Sequence, residues 1–296
     1  MNETNGSDQT ALDYTLKYNP PMDHVVAERN LKEAKRILDD LNVAFLLGSG
    51  SCLGAIREKG FIEWDDDVDL FTVIGINGVT EESADIVAEA FRKNGYFVSI
   101  GEADHSRILM TIKDSMRLSV EFARITNEEI LVYPGIKFPA VMFTEPKYID
   151  FLGEKFLVPN PPEEYLQRKY GSEWMIPKKA GQYEKDVVDN IPSVTLTGSS
   201  CKLRVLDGKE KPVEDAEVNL VNGGRSRTNN LGYAEIILPN PDWYALVIKY
   251  PGHEQVLYME QLEPGNVYVY RSNSVAEEHD SSIGEIGTLG NLLKIE

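Results

Sequence analysis

The chain has 296 residues, 42% of them hydrophobic, enough for one large or two ordinary domain cores. Its 48 acidic and 30 basic side chains give a formal net charge of −18. This charge argues against general binding to nucleic acid or anionic membranes, because both require a basic face. The start of the chain lacks the features of a signal peptide, and no apolar run approaches the ~18 residues of a membrane span. We therefore expect a cytoplasmic protein without a transmembrane segment.

The first elements in chain order alternate between helix and strand signals. Residues 1–20 are polar, and we predict that they are disordered. From Ala27 to Leu41, apolar side chains recur at intervals of three and four, which predicts an amphipathic helix. The apolar run 43–47 predicts a short strand, which leads into the glycine- and serine-rich stretch GSGSCLG. The stretch DVDLFTVI, residues 67–74, predicts the next strand.

Further helices and strands complete a mixed domain. We predict a second helix from Thr80 to Asn94-Gly95, and a third helix that Asn160 caps and Pro161 begins. Strand-like runs occupy residues 96–100, 107–113, 118–125 and 148–158. Because these elements form no strict βαβ repeat, we predict an α+β domain with a mixed sheet over residues 21–192.

The pattern of apolar and turn-forming residues changes after Pro192. Short alternating strands recur at regular spacing, separated by turn signals such as Asp207-Gly208 and Pro251-Gly252. This predicts an antiparallel β-sandwich over residues 193–274, followed by a weakly ordered acidic tail over residues 275–296. The two cysteines of the chain, Cys52 and Cys201, lie far apart in apolar sequence, which predicts buried free thiols.

The stretch FIEWDDDVDL places four carboxylates within five positions. Alternate strand residues point to the same face, roughly 6.6 Å apart. Asp67 and Asp69 are therefore expected on the same face, together with Asp65 if the strand extends back to it. Asp66 is expected to point to the opposite face and to bond backbone groups of the loop. Carboxylates so close repel one another unless a cation is bound, and hard oxygen ligands suit Mg²⁺ or Mn²⁺. A solvated acidic turn is the alternative interpretation of this stretch.

Residues on both sides of the acidic stretch are candidates for binding an anionic substrate. Gly50 and Ser51 belong to the glycine- and serine-rich loop, which can offer backbone N–H groups and hydroxyls to phosphate oxygens. Arg57 and Lys59 would neutralise phosphate charge, with a solvated surface position as an equal alternative. Arg107 lies on a later predicted strand and is a further candidate.

The glycine-serine loop and the following Asp67-Val68-Asp69-Leu70 pattern resemble the nucleotidyltransferase superfamily. The whole run GSGSCLGAIREKGFIEWDDDVDL resembles the signature of the LicD family of phosphocholine transferases, which is related to fukutin-type ribitol-phosphate transferases. Downstream, VPNPPEEYLQRKYGSEWMIP resembles that family's Y-L-x-x-x-Y-G-x-x-W-x-x-P stretch. The resemblance covers roughly residues 25–180.

The resemblance implies a nucleotidyltransferase-like fold that binds Mg²⁺ or Mn²⁺. Asp67 and Asp69 would be catalytic metal ligands, and Asp65 would be a further ligand. Glu121, in the run Val120-Glu121-Phe122, matches the family's third carboxylate and would take the proton from the acceptor hydroxyl. Ser51 and the backbone near Gly50 would contact the phosphates of the donor.

The implied reaction transfers a phosphoryl-alcohol group, phosphocholine or ribitol phosphate, from a CDP-activated donor to a sugar hydroxyl. The acceptor would be a glycan or its lipid-linked precursor, and CMP would leave. Two alternatives remain open: a nucleotidyltransferase that moves NMP from NTP to a small acceptor, and a catalytically inactive glycan-binding protein.

The second predicted domain resembles carboxypeptidase-regulatory-like, transthyretin-like β-sandwich modules. The resemblance rests on VLDGKEKPVEDAEVNLVNGG, TNNLGYAEIILP and YALVIKYPGHEQ. It implies a β-sandwich fold and leaves two roles open, docking of a glycan or partner and a stabilising or spacer role.

Overall fold

The computed structural model describes residues 3–179, 182–272 and 293–296. The chain divides into two compact units, Met1–Pro177 and Lys178–Glu296. The division therefore falls after Pro177, earlier than the boundary predicted after residue 192. Helix Glu184–Asp189 accounts for the difference, because it packs against strand His253–Leu262 of the second unit. None of the helices in the described ranges is long and apolar enough to cross a membrane.

The first unit mixes helices and strands, as the sequence predicts. Its α-helices are α1 (Glu3–Tyr18), α2 (His24–Asp40), α3 (Ser49–Leu53), α4 (Ser83–Lys93), α5 (Val141–Thr144) and α6 (Pro162–Tyr170), and a π-helix, Gly54–Glu58, directly follows α3. Its strands are β1 (Leu46–Leu47), β2 (Asp67–Val73), β3 (Phe97–Ala103), β4 (Ser106–Lys113), β5 (Met116–Ala123), β6 (Ile125–Thr126), β7 (Glu129–Val132), β8 (Ile136–Pro139), β9 (Lys147–Phe151) and β10 (Glu154–Val158).

A mixed sheet forms the centre of the first unit. Within the described part of this unit, seven strands pair in the order β3-β4-β5-β2-β1-β10-β9. The pairs β2–β5 and β1–β10 are parallel, and the other neighbours are antiparallel. The predicted mixed α+β class is therefore confirmed. The single strand predicted over residues 148–158 is instead a hairpin, β9–β10, whose turn contains Leu152 and Gly153, both with positive φ.

The helices differ from their predicted bounds mainly at their first residues. The apolar stripe is buried within α2, whereas Leu41 is the half-buried C-cap, and Asp23 caps the start of this helix by accepting hydrogen bonds from Val25 N and Val26 N. Helix α4 begins at Ser83 rather than Thr80, because the turn is closed by a hydrogen bond from Thr80 N to Ser83 Oγ.

The start of α6 also needs correction. Pro161 is its N-cap and Pro162 its first residue. The predicted cap, Asn160, instead donates its side-chain N–H to the carbonyl of Glu145.

The prediction of disorder over residues 1–20 is wrong for the described part of that segment. Residues Glu3–Tyr18 form α1, which contacts β3 and β4. Leu12 is 1% exposed and Thr15 is 3% exposed. The segment is polar on average, but Leu12 and Thr15 are three residues apart and therefore lie on the same face of the helix. Both side chains are buried on that face.

The second unit contains a short helix and two small sheets. Its elements are α7 (Glu184–Asp189), β11 (Ser199–Leu206), β12 (Glu217–Leu220), β13 (Arg225–Arg227), β14 (Tyr233–Leu238), β15 (Asp242–Tyr250), β16 (His253–Leu262), β17 (Val267–Arg271) and β18 (Lys294–Ile295). Its described strands pair in the orders β14-β11-β17-β18 and β13-β12-β15-β16. Both sheets contribute buried side chains to one hydrophobic cluster.

Two predictions for this unit are corrected. The pair β11–β17 is parallel, so the first sheet is mixed rather than antiparallel throughout. The last residues of the predicted acidic tail form β18, which pairs with β17. The rest of that predicted tail, residues 275–292, lies outside the described residues. Cys52 and Cys201 are both free and buried, as predicted.

Candidate active site

One face of the strand pair β2–β5 carries charged and polar side chains. The register places Asp67 beside Arg117, Asp69 beside Ser119 and Phe71 beside Glu121. Alternate strand residues share a face, so Asp67, Asp69 and Glu121 all lie on the same side of the sheet. The structure thus brings together the three carboxylates predicted to be catalytic.

Three consecutive carboxylates form a tight cluster at the start of β2. One carboxylate oxygen each from Asp65, Asp66 and Asp67 lies within 4.8 Å of the others, an arrangement that could hold a metal ion. Asp65 is only 8% exposed, and its Oδ2 atom is buried with no hydrogen-bond partner among the described residues. A buried, unpaired carboxylate oxygen is costly unless a cation or donor binds it, so the cluster fits a hard divalent ion.

The composition of this cluster corrects the predicted orientation of Asp66. Strand alternation was expected to turn Asp66 away from Asp65 and Asp67. However, β2 begins at Asp67, and Asp65 and Asp66 lie in the preceding irregular segment, so alternation does not apply to them. Asp69 lies further along β2, where its Oδ1 accepts a hydrogen bond of 2.9 Å from Ser119 Oγ.

Arg117 is the counterion of the cluster. Its Nη2 contacts Asp66 Oδ2, and its Nε donates to Asp67 Oδ2 at 2.9 Å. Its side chain is 5% exposed. Burial acts to lower the pKa of Arg117, but the carboxylates of Asp67 and Asp66 more than offset this and raise it. One guanidinium thus holds two carboxylates beside Asp65.

The glycine- and serine-rich segment predicted to be a loop forms the start of helix α3, with Gly48 as its N-cap. This segment, for which we keep the name glycine-serine loop, is hydrogen-bonded directly to β2. Gly48 N donates to Asp69 O, and Asp69 N donates to Ser51 Oγ, each at 3.0 Å. Ser51 is 1% exposed, so its hydroxyl anchors the loop to the strand. Its predicted contact with the phosphates of a donor stays a prediction. A Cβ atom on Gly50 would lie 2.5 Å from Asp65 Oδ2, so the loop passes against the acidic cluster.

Helix α6 holds the same loop from another direction. The Tyr165 hydroxyl accepts a hydrogen bond of 3.0 Å from Ser49 N, and Lys169 Nζ donates to Ser49 Oγ at 2.7 Å. Ser49 has a φ of 38°, in the left-handed region that non-glycine residues rarely adopt. Two side chains from one helix therefore fix the conformation of this loop residue.

Burial shifts the pKa values of the carboxylates on this face. It raises the pKa of Asp65 well above its usual value, with the charges of Asp66 and Asp67 adding to the effect. Burial also raises the pKa of Asp69 to about 7, although Lys169 opposes the shift. The pKa of Glu121 likewise rises to about 7 through burial, against a hydrogen bond from Ser106 and the charge of Lys169.

Arg57 and Lys59 have local partners. The Arg57 side chain is 7% exposed, pairs with Glu58 at 2.6 Å and donates from Nη1 to Trp174 O at 2.9 Å. Lys59 Nζ donates to Ile56 O. Arg57 therefore joins the acidic-cluster motif to the Y-G-x-x-W motif, and substrate contact by either cation stays a prediction.

Arg107 does not lie with the carboxylates, which corrects the expectation that it belongs to the site. In the β4–β5 register Arg107 lies opposite Phe122, so it faces away from Glu121. Its guanidinium instead forms ion pairs with Asp85 and Glu102.

Arg117 and Lys169 are two residues of the site that were not predicted from the sequence. Arg117, Ser119 and Glu121 alternate along β5, so a period of two signals that Arg117 shares the face of Glu121. Lys169 follows Tyr165 by four residues, the spacing of one helical face.

The matched family model covers the loop and the whole carboxylate face. Residues 42–161 match the model described as LicD/FKTN/FKRP, nucleotidyltransferase domain. This range includes Asp65, Asp66, Asp67, Asp69 and Glu121. Helix α6, with Lys169, lies just beyond it.

Two relatives carry related activities in their names. Over 171 residues the chain is 29% identical to the ribitol-5-phosphate transferase FKTN of Homo sapiens, covering 54% of this chain and 35% of the relative. Over 29 residues it is 55% identical to the lipopolysaccharide cholinephosphotransferase LicD of Haemophilus influenzae, covering 10% of this chain and 11% of the relative. The chain thus spans about a third of the length of FKTN and about a tenth of that of LicD.

One solved structure aligns weakly with the chain. The structure of ANT(2″)-Ia in complex with adenylyl-2″-tobramycin aligns with a TM-score of 0.32 and 16% identity, over 45% of this chain and 68% of that one. A similarity this low carries no argument about the fold. The family model matches a segment of the first unit, and both named relatives are phosphotransferases by name.

Proposed function

We propose that the first unit transfers a phosphoryl-alcohol group from a CDP-activated donor to a sugar hydroxyl of a glycan, in a reaction that depends on a divalent cation. The observation that carries this proposal is the Asp65–Asp67 cluster with the unpaired Oδ2 atom of Asp65. The cluster lies within the segment that matches the LicD-type model. Phosphocholine and ribitol phosphate are the groups named for the relatives, and we propose one of this chemical class for this chain.

The residues of the cluster suit Mg²⁺ or Mn²⁺. Carboxylate oxygens are the ligands that these hard cations prefer. Asp65, Asp66 and Asp67 would hold the ion, with Asp69 completing the acidic face of β2. Such an ion supplies charge stabilisation at the phosphoryl oxygens of the donor. Arg117 keeps two of the ligands in place through its ion pairs with Asp66 and Asp67.

Glu121 is the proposed proton acceptor for the attacking sugar hydroxyl. It lies on the carboxylate face, and burial raises its pKa to about 7. A general base is most effective when its pKa is near the working pH, because it is then both largely ionised and basic enough to accept a proton. Ser106 donates a hydrogen bond to the Glu121 carboxylate and orients it.

We propose that the second unit is a β-sandwich of the carboxypeptidase-regulatory-like type. The support is the shared hydrophobic cluster, to which both of its four-stranded sheets contribute. Side chains such as Leu203 on β11 and Leu246 on β15 are buried in this one core. Docking of the glycan acceptor is the functional role that this unit would add.

The test is a turnover screen over a panel of CDP-alcohols with purified protein and Mg²⁺. Release of CMP from CDP-choline, CDP-ribitol or a relative in the presence of a glycan acceptor is the expected result. Release of pyrophosphate from NTP, with no CMP from any CDP-alcohol, would show a nucleotidyltransferase instead.

A further inference from the structure

Lys169 is a buried cation for which the described residues provide no ion pair. It lies on α6, is 4% exposed, and donates from Nζ to Ser49 Oγ at 2.7 Å and to Tyr133 O at 3.5 Å. Both acceptors are neutral. Among the residues that the structure describes, no carboxylate forms a salt bridge with it. Arg117, the other buried cation of the site, has two.

A buried ammonium group whose close partners are neutral oxygens destabilises the folded state. Removing a charge from water destabilises the folded state unless an opposite charge compensates it closely. The carboxylates of Asp69 and Glu121 act on Lys169 through space but do not pair with it. This arrangement suits a residue whose close partner is an anion that binds during function.

The position of Lys169 matches the place where a phosphate would bind. Asp69 and Glu121 exert the strongest charge effects on it, so Lys169 borders the carboxylate face. Its hydrogen bond to Ser49 also connects it to the loop beside the Asp65–Asp67 cluster. An ammonium has three N–H donors, and only one makes a short hydrogen bond here. The remaining donors can bind oxygen atoms of an anion.

We propose that Lys169 binds a phosphate oxygen of the nucleoside-diphosphate donor, with Ser49 as the neighbouring hydroxyl of the same phosphate site. This inference rests on the proposed function and extends it to a residue outside the segment matched by the family model. The charge-assisted hydrogen bond would orient the donor phosphate toward the carboxylate face. Lys169 is then a substrate-binding residue.

Isothermal titration with CDP in the presence of Mg²⁺ tests the proposal. Lys169→Gln removes the charge but keeps a donor for Ser49, and we expect CDP binding at least tenfold weaker than that of the wild type. Lys169→Met provides a second neutral variant. Lys155→Gln is the matched control, because Lys155 is 69% exposed and pairs with Asp150 on the surface. Mn²⁺ titration of each neutral Lys169 variant should give an affinity no weaker than that of the wild type, since Lys169 acts on the cluster residue Asp67 as a nearby positive charge.

The outcomes separate this proposal from the proposed function. If folded Lys169→Gln binds CDP as tightly as the wild type, the phosphate role is wrong and the proposed transfer reaction is unaffected. If neither neutral variant folds, Lys169 is a structural residue and the proposal is likewise wrong. Inorganic pyrophosphate serves as a second probe. Binding of pyrophosphate that requires Lys169, without binding of CDP, would support the phosphate role and contradict the proposed donor.

Discussion

Gly50 and Asp65 are in direct contact, and the contact leaves no room for a side chain on the glycine. A Cβ atom at position 50 would lie 2.5 Å from Asp65 Oδ2 and 3.0 Å from Oδ1. Asp65 is nearly buried, so its carboxylate has little freedom to move aside. The glycine of the loop therefore fixes the position of one predicted metal ligand.

Gly50→Ala should displace the Asp65 carboxylate. We expect a loss of unfolding free energy of about 1–3 kcal/mol, the usual cost of overpacking. We also expect a loss of metal-dependent turnover larger than the stability change explains. Urea denaturation and CMP release measure the two effects. Gly60→Ala is the matched control, since a Cβ there meets nothing within 4 Å. Equal losses of unfolding free energy and of turnover in the two variants would show that the contact between position 50 and Asp65 does not matter.

Arg117→Met should leave the partly buried carboxylates of Asp66 and Asp67 without their counterion. Removing one partner of a buried ion pair lowers the unfolding free energy by about 3–5 kcal/mol. The comparison variant is Arg168→Met, because Arg168 pairs with Glu164 on the exposed side of α6. A pair of this kind contributes only about 0.3–0.5 kcal/mol. Denaturant midpoints in metal-free buffer distinguish the two, and a similar loss in both would show that Arg117 is not the counterion of the cluster.

The pKa of Glu121 predicts a pH dependence of stability in metal-free buffer. Burial raises the pKa from 4.5 to about 7, so the folded state binds a proton more tightly than the unfolded state. The contribution of Glu121 to stability is therefore complete below pH 4.5 and is lost as the pH rises through 7. The difference between these two pKa values corresponds to about 3 kcal/mol of unfolding free energy.

Glu121→Gln removes this titration, so its stability relative to the wild type should increase between pH 4.5 and 7. Denaturation at several pH values measures the difference. The control is Glu89→Gln, at an exposed position of α4. A difference between wild type and Glu121→Gln that does not change with pH would contradict the burial of an ionisable Glu121.

Divalent cations should stabilise the first unit through the Asp65–Asp67 cluster. We expect Mn²⁺ to raise the melting temperature of the wild type, because a ligand that binds the folded state shifts the unfolding equilibrium. Asp65→Asn should abolish most of that rise. Asp150→Asn is the control, since the Asp150 side chain is 83% exposed on β9. An equal Mn²⁺ effect in both variants would mean that the ion binds elsewhere.

Local sequence patterns were sufficient to predict much of the site. Alternation along β2 predicted that Asp67 and Asp69 share a face, and the family resemblance pointed to Glu121. The β2–β5 register places all three carboxylates on one face. The run of aspartates marked the cluster itself. Strand alternation gave the wrong orientation for Asp66, because Asp66 precedes β2. The first residue of β2 depends on pairing with β5, which local sequence does not show.

Local patterns place Arg117 on the face of Glu121 and Lys169 on the face of Tyr165, but they do not show that either cation is buried at the site. Arg117 and Lys169 look like ordinary surface residues in sequence, since a basic residue on a strand or helix is usually solvated. They are buried here because their partners come from segments far along the chain, Asp66 for Arg117 and Ser49 for Lys169. Arg107 shows the opposite case, since its ion pairs with Asp85 and Glu102 lie on the other side of the sheet.

We propose that the Asp65–Asp67 cluster binds the ion required for phosphoryl-alcohol transfer. The most direct measurement is Mg²⁺-dependent CMP release from CDP-alcohols by the wild type and by Asp67→Asn. This variant removes one charge without changing side-chain volume, and its amide oxygen can still accept from Arg117. We predict a folded Asp67→Asn protein whose turnover is reduced at least 100-fold. Full Mg²⁺-dependent turnover by folded Asp67→Asn would contradict the claim.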